Sequence, residues 1–179
     1  VHRLDVRQNP ALTELFCERN NLISIDISKN PALKVLDCSS TRLIRLDISN
    51  NLALNILKCH NNHLEALDVT KHTGLDTLVC SKNKLKMLSV VHNSRLVHLN
   101  CSGNQLSVID VSRNPSMLIF RCAENQLTSV DVSLNTKLEV LDCSWNLLQQ
   151  IDVSRNQALT DLAIRGNRIA DIDISKNLS

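Results

Sequence analysis

At 179 residues, 43% hydrophobic and 21% charged, the chain fits one folded domain and not a disordered segment. Its net charge of +2 at pH 7 is too small to point to nucleic acid. Aromatics make up 2% (Phe16, Phe120 and Trp145, with no Tyr), which disfavours stacked clefts for carbohydrate or single-stranded nucleic acid, and no apolar run approaches the ~20 residues of a membrane span.

The first full unit opens with "LTELFCERN" (12–20) and continues with "LISIDISKN" (22–30). The pair recurs with a 21-residue period along the whole chain, in about eight and a half units. In chain order the cysteine column is Cys17, Cys38, Cys59, Cys80, Cys101, Cys122 and Cys143, with Ile164 closing it. Two residues before it run Leu15, Leu36, Leu57, Leu78, Leu99, Phe120, Leu141 and Leu162. In the first half-unit these two columns alternate with outward positions, as a half-buried strand requires. In the second, Ile25 and Ile27 point inward while Asp26 and Ser28 point outward, and nothing has helical spacing. The expected fold is mainly β: a flattened right-handed solenoid of about 8.5 coils with short parallel strands on both faces and low curvature. At ~4.8 Å per coil it is roughly 40 Å long.

Two asparagine columns mark the corners. The first is Asn20, Asn62, Asn83, Asn104, Asn125, Asn146 and Asn167, broken by Thr41; the second is Asn9, Asn30, Asn51, Asn93, Asn114, Asn135, Asn156 and Asn177, broken by His72. Asn tolerates left-handed backbone, and its amide bonds main-chain groups that a buried corner leaves unpaired. With three Gly and three Pro in the chain, these columns are expected to make the turns.

The cysteines read as a core column of reduced thiols. Neighbouring Cα atoms ~4.8 Å apart lie within disulfide range, but their Cβ vectors run parallel and seven thiols leave one over. A straight column spreads four thiols over more than ~14 Å, too far to converge on one zinc. No C-x-x-C pair is present. No metal site or cofactor is expected. The acidic column of Asp5, Asp26, Asp47, Asp68, Asp110, Asp131, Asp152 and Asp173 lacks the Gly-rich turns of calcium β-rolls. Its carboxylates are expected to accept bonds from turn N–H or Ser hydroxyl groups.

The combined pattern "LxxLxCxxN" and "NxLxxLDVSxN" carries the marks of a leucine-rich repeat. "LVHLNCSGNQLSVIDVSRN" (96–114) and "LEVLDCSWNLLQQIDVSRN" (138–156) resemble the 21-residue bacterial class of internalin J type, which carries a similar cysteine ladder. Related arrays occur in Bacteroidetes surface proteins. That resemblance implies a non-enzymatic protein-binding module, extracellular or at the cell surface, with a protein partner such as a host surface protein. The chain opens and stops in mid-repeat, so residues 1–179 are expected to be one array taken from a longer one without its caps.

Core columns carry no specificity, so the expected binding face is the outward side of the first strand. Its candidates are an apolar streak of Val35, Ile56, Val79, Ile119 and Val140, the polar residues Lys58, His60, His98 and Arg121, and Trp145 as an edge anchor. Asp37–Lys58 and Arg121–Asp142 lie one coil apart as candidate cross-strand pairs. No catalytic motif is present, and neither nucleic-acid binding nor membrane insertion is expected. A passive spacer in an adhesin and an intracellular effector are the alternative readings. Reduced cysteines suit the cytosol equally well, and neither the partner nor the oligomeric state is legible.

Overall fold

The protein is described from a computed structural model over residues 1–177. Each coil contributes one three-residue strand: β1 Glu14–Phe16, β2 Val35–Asp37, β3 Ile56–Lys58, β4 Thr77–Val79, β5 His98–Asn100, β6 Ile119–Arg121, β7 Val140–Asp142 and β8 Asp161–Ala163. They form one parallel sheet in sequence order, with every Cα partner 21 positions away, so each column foreseen from the period is a straight stack. Leu36, Leu57, Leu78, Leu99, Phe120 and Leu141 are fully buried at the strand centres, with the cysteines beside them. Each large apolar side chain so placed contributes roughly 1.5–3 kcal/mol of burial.

Hydrogen bonding between coils continues past the strands. The cysteine N–H donates to the next coil, as in Cys59 N to the Val79 carbonyl at 2.8 Å. Two residues on, the chain turns left-handed at Arg19, Ser40, Asn61, Lys82, Gly103, Glu124, Trp145 and Gly166, with φ between 52° and 67°. This corrects the expectation that the asparagine column takes the left-handed turn. The turn falls one residue earlier, and in this column Asn61 is the one asparagine. A left-handed L-residue costs roughly 1–2 kcal/mol. It is held because its N–H is tied to the next coil, as in Trp145 N to the Arg165 carbonyl at 2.7 Å.

The asparagine columns are the cross-coil staples. Asn104 Nδ2 donates to its own Cys101 carbonyl at 2.9 Å and to the Cys80 carbonyl of the coil before at 3.1 Å, while Oδ1 accepts the Leu85 N–H at 3.0 Å. Asn62, Asn83, Asn125, Asn146 and Asn167 repeat this arrangement. In the second column Nδ2 bridges two carbonyls of the preceding coil, as Asn114 does with Val90 at 3.0 Å and Asn93 at 2.8 Å. Its Oδ1 makes no hydrogen bond among the described residues. The second column therefore needs a donor alone, which is why His72 fits there: its ring Nε2 lies 3.1 Å from the Ile48 carbonyl. A carbonyl only accepts, so Nε2 carries the proton.

The second half-unit departs from expectation. Ile27, Ile48, Val69, Val90, Val111, Val132 and Val153 are buried as foreseen, but this face carries no strand among the described residues beyond an isolated Asp5–Asp26 bridge. In every coil but that of Ser89 a carboxylate competes locally for the N–H. Asp26 Oδ1 accepts the Ser28 N–H at 3.1 Å, and Asp47, Asp68, Asp110, Asp131, Asp152 and Asp173 capture the N–H two residues ahead in the same way. An N–H held by its own turn is lost to a ladder. The Ser28 hydroxyl, and then its N–H, hold the Asp26 carboxyl below the usual range, and the Ser133 N–H and hydroxyl do the same for Asp131.

All seven cysteines are free and buried. Burial pushes the Cys17 thiol up to about 11 and the Cys101 and Cys143 thiols up to about 12. A thiol so protonated is a poor nucleophile. Iodoacetamide at pH 8 is expected to leave Cys38 through Cys122 unmodified in the native protein and to label all seven positions in guanidinium. Rapid native labelling of Cys80 or Cys101, read by mass spectrometry, contradicts a closed column. Replacing Asn114 by Ala strips two buried carbonyls of a donor and is expected to cost about 2–4 kcal/mol in urea unfolding. His72→Asn, which adds a bond to the Asn51 carbonyl, is expected to gain about 1 kcal/mol; a loss in that variant counts against the donor-only role of this column.

Candidate interaction face

The outward side of the sheet is built from three columns: one residue before the buried leucine, one after it, and one after the cysteine. In the first lie Val35, Ile56, His98, Ile119 and Val140, in the second Lys58, Val79 and Arg121, and in the third His60. Nine of the ten expected site residues thus share this face. Val35, Ile56, Val79, Ile119 and Val140 are half-buried against their coil neighbours, so the expected apolar streak presents narrow strips and not whole side chains. Val79 stands in the second column, out of line with the other four. Trp145, the tenth, sits in the left-handed turn at the sheet's edge and is 55% exposed.

Trp145 has a partner that sequence reasoning missed. A Cβ added to Gly166 would lie 2.4 Å from Trp145 Cε3, so the indole rests against the bare glycine of the next coil. The signal was available: Gly166 stands one period after Trp145 in the same column. Phe16, in the second outward column at the opposite end of the sheet, is 59% exposed.

The expected ion pairs do not form. Asp37 faces Lys58 and Arg121 faces Asp142 in register, yet the salt bridges among the described residues are Arg7–Asp5 and Arg95–Asp76. The carboxylates are engaged locally instead. Asp37 Oδ1 accepts the Ser39 N–H at 3.1 Å as well as the Ser39 hydroxyl, and Asp142 Oδ1 accepts the Ser144 N–H at 3.1 Å. Lys58 and Arg121 are left without an acidic partner among the described residues. Burial holds the His60 imidazole below its usual range, with Lys58, Lys82 and Arg19 adding to the effect and Asp37 opposing it. Burial does the same at His98, reinforced by Arg121 and Lys58. His60, His63 and His98 do not assemble a metal site, and no group of three or more His, Cys, Asp or Glu among the described residues is placed to hold an ion.

The concavities lie elsewhere, on the strandless face. One open groove of about 500 Å³ runs along Ile44, Leu46, Glu65 and Leu67, and another of about 460 Å³ along Ser129, Asp131, Gln150 and Asp152. Ile23, Ile44, Met87 and Val108 are exposed on that side. No helix of the described residues is long and apolar enough to cross a membrane.

Set against known structures, the chain is similar to the functional domain of InlJ from Listeria monocytogenes, which includes a cysteine ladder. The two are 29% identical over 98% of this chain and 49% of that one, with a TM-score of 0.70. YopM from Yersinia enterocolitica is 25% identical over 93% of this chain and 41% of its own, with a TM-score of 0.74. A leucine-rich-repeat protein of Leptospira interrogans shares the fold at a TM-score of 0.88 and 22% identity, over 96% of this chain and 48% of its own. The chain thus spans about half the length of the solved structures it matches, or less. No protein-family model and no curated protein matches it. The chain is a leucine-rich-repeat solenoid with a buried cysteine ladder, structurally like the internalins.

The two histidines set a pH dependence. Their folded-state pKa values lie below the unfolded ones, so across the ordinary histidine range the folded protein binds fewer protons than the unfolded chain. Stability is therefore expected to be full above about pH 7 and to decline towards about pH 5.5. The double variant His60→Gln/His98→Gln is expected to flatten that decline in urea midpoints. An equal decline in the variant assigns it to other groups.

Proposed function

We propose that this array is a non-enzymatic protein-interaction module that engages its partner through the outward face of the parallel sheet. The observation that carries this reading is the division of labour within the repeat. Strand-centre leucines, cysteines and asparagines are spent on the core, while the two outward columns beside the strand leucine vary from coil to coil on a regular parallel sheet; the third is buried at Ser39, Ser81, Ala123 and Ser144. Repeat arrays offer such extended surfaces for binding macromolecules. The likeness to the InlJ functional domain supports the same class, and with it an exported or surface-displayed setting facing a host protein. Trp145, propped on Gly166, supplies the kind of rigid aromatic anchor that dominates interface energetics.

The strandless face, with exposed Ile44 and Met87, is the internal control. Host surface proteins retained by the immobilised array are to be compared across three forms: wild type, Trp145→Ala/Ile119→Ala, and Ile44→Ala/Met87→Ala. The sheet-face pair is expected to weaken retention at least about tenfold, a loss of about 1.4 kcal/mol or more, while the other pair leaves it within about twofold. The reverse pattern moves the interface to the strandless face. No specific retention by any form favours a passive spacer.

A further inference from the structure

Charge is segregated along the sheet face. In β3 to β6 the three outward columns hold no carboxylate: they read Ile56, Thr77, His98, Ile119; Lys58, Val79, Asn100, Arg121; and His60, Ser81, Ser102, Ala123. Carboxylates stand at both ends of the same columns, as Glu14, Glu18 and Asp37 on one side and Asp142 and Asp161 on the other. The nearest of these, Asp37 and Asp142, are turned onto Ser39 and Ser144. Asp76, beside the centre, is paired with Arg95 at 3.7 Å. The middle of the face is thus a basic strip whose cations have no acidic partner among the described residues. At its edge, in the left-handed column, Lys82 stands near enough to His60 to act on it, and the carboxylate of Glu124 stands two coils further on.

The strip also has a length. Lys58, Val79, Asn100 and Arg121 are successive register partners, so Lys58 and Arg121 lie three coil spacings apart, ~14 Å. An extended peptide places residues i, i+2 and i+4 on one side at ~3.4 Å per residue, and i to i+4 also spans ~14 Å. Between the cations lie the half-buried Val79 and Asn100; in the neighbouring column Ile56 stands one coil from Val79 and Ile119 one coil from Asn100. A polyanionic sugar would find cations here but no use for the apolar positions between them.

We propose that the central strands bind an extended acidic protein segment laid along the solenoid axis, with carboxylates at i and i+4 on Lys58 and Arg121 and an apolar side chain at i+2 over Val79. This rests on the reading of the sheet face as the binding surface and names the partner's chemistry. Attraction of this kind steers association and weakens with salt.

The test uses a fluorescein-labelled peptide Ser-Glu-Ser-Val-Ser-Glu-Ser, its counterpart with Gln for both Glu, and a heparin hexasaccharide, titrated by anisotropy in about 50 mM salt. The Glu peptide is expected to bind at least about tenfold more tightly than the Gln peptide, and to weaken as salt is raised. Lys58→Glu/Arg121→Glu is expected to abolish that preference, with Lys58→Gln/Arg121→Gln as the milder variant if the reversal disturbs folding. Lys86→Glu/Arg113→Glu, away from the strip, is expected to change it less than about twofold. Equal binding of the Glu and Gln peptides, no binding of either, or heparin binding without peptide binding overturns the proposal. If the peptide fails while Trp145→Ala/Ile119→Ala still loses its retained protein, the acidic preference alone falls; if both fail, so does the sheet-face reading.

Discussion

A solenoid corner drives main-chain carbonyls into an apolar interior, and a buried carbonyl without a donor costs about 1–3 kcal/mol. The side-chain amides of the two asparagine columns meet this demand in nearly every coil, and they meet it across the coil boundary. Asn104 Nδ2 reaches the Cys80 carbonyl, and Asn114 Nδ2 reaches those of Val90 and Asn93. A coil closes its corners only with its neighbour present. Stability in such an array is therefore a matter of adjacent pairs, as repeat architectures in general require. Of the two departures, His72 keeps the bond to the preceding coil, through the Ile48 carbonyl, while Thr41 Oγ1 donates forward instead, to Asn62 Oδ1 of the next coil at 2.6 Å.

Once the corners are stapled, the two faces differ by which acceptor takes the next N–H. On the sheet side the main chain gives it to the neighbouring coil, through the strand, the cysteine and the left-handed residue. On the other side, in every coil but that of Ser89, an Asp claims the N–H two residues ahead, and the described residues form no second sheet. The same device closes the sheet at the other end of the strand. Asp37, Asn100 and Asp142 each accept the N–H two residues on, at the position where the strand gives way to the turn.

Much of this was legible because a period multiplies weak signals. One cysteine flanked by leucines says little, but eight stacked copies identify the inward columns and the corners. Three features escaped for one shared reason: they depend on backbone torsion and hydrogen-bond competition, which residue type reports poorly. The left-handed position accepts Arg19, Lys82, Glu124 and Trp145 because bonds between coils hold it there, so composition gives no glycine column to find. The second strand had the right alternation in Ile25, Asp26 and Ile27, but alternation records burial and not pairing. The ion pairs had the right register, yet register places Cα atoms and leaves open which donor a carboxylate chooses.

That choice matters for the surface. The three outward columns hold five carboxylates against three cations, Lys58, Arg121 and Arg165, which suggests a mildly acidic platform. That count is nominal at the centre, because the Asp37 and Asp142 carboxylates are engaged by their own turns while Lys58 and Arg121 keep no acidic partner among the described residues. A short carboxylate two residues from a serine N–H closes a local ring with little entropy lost, whereas pairing with a long, solvated Lys or Arg gains about 0–1 kcal/mol. The local bond wins, so the turns at Asp37 and Asp142 leave Lys58 and Arg121 beside them without an acidic partner among the described residues. In a repeat protein the recognition field is then set by which charges the fold leaves unengaged, and here those lie at the centre of the sheet.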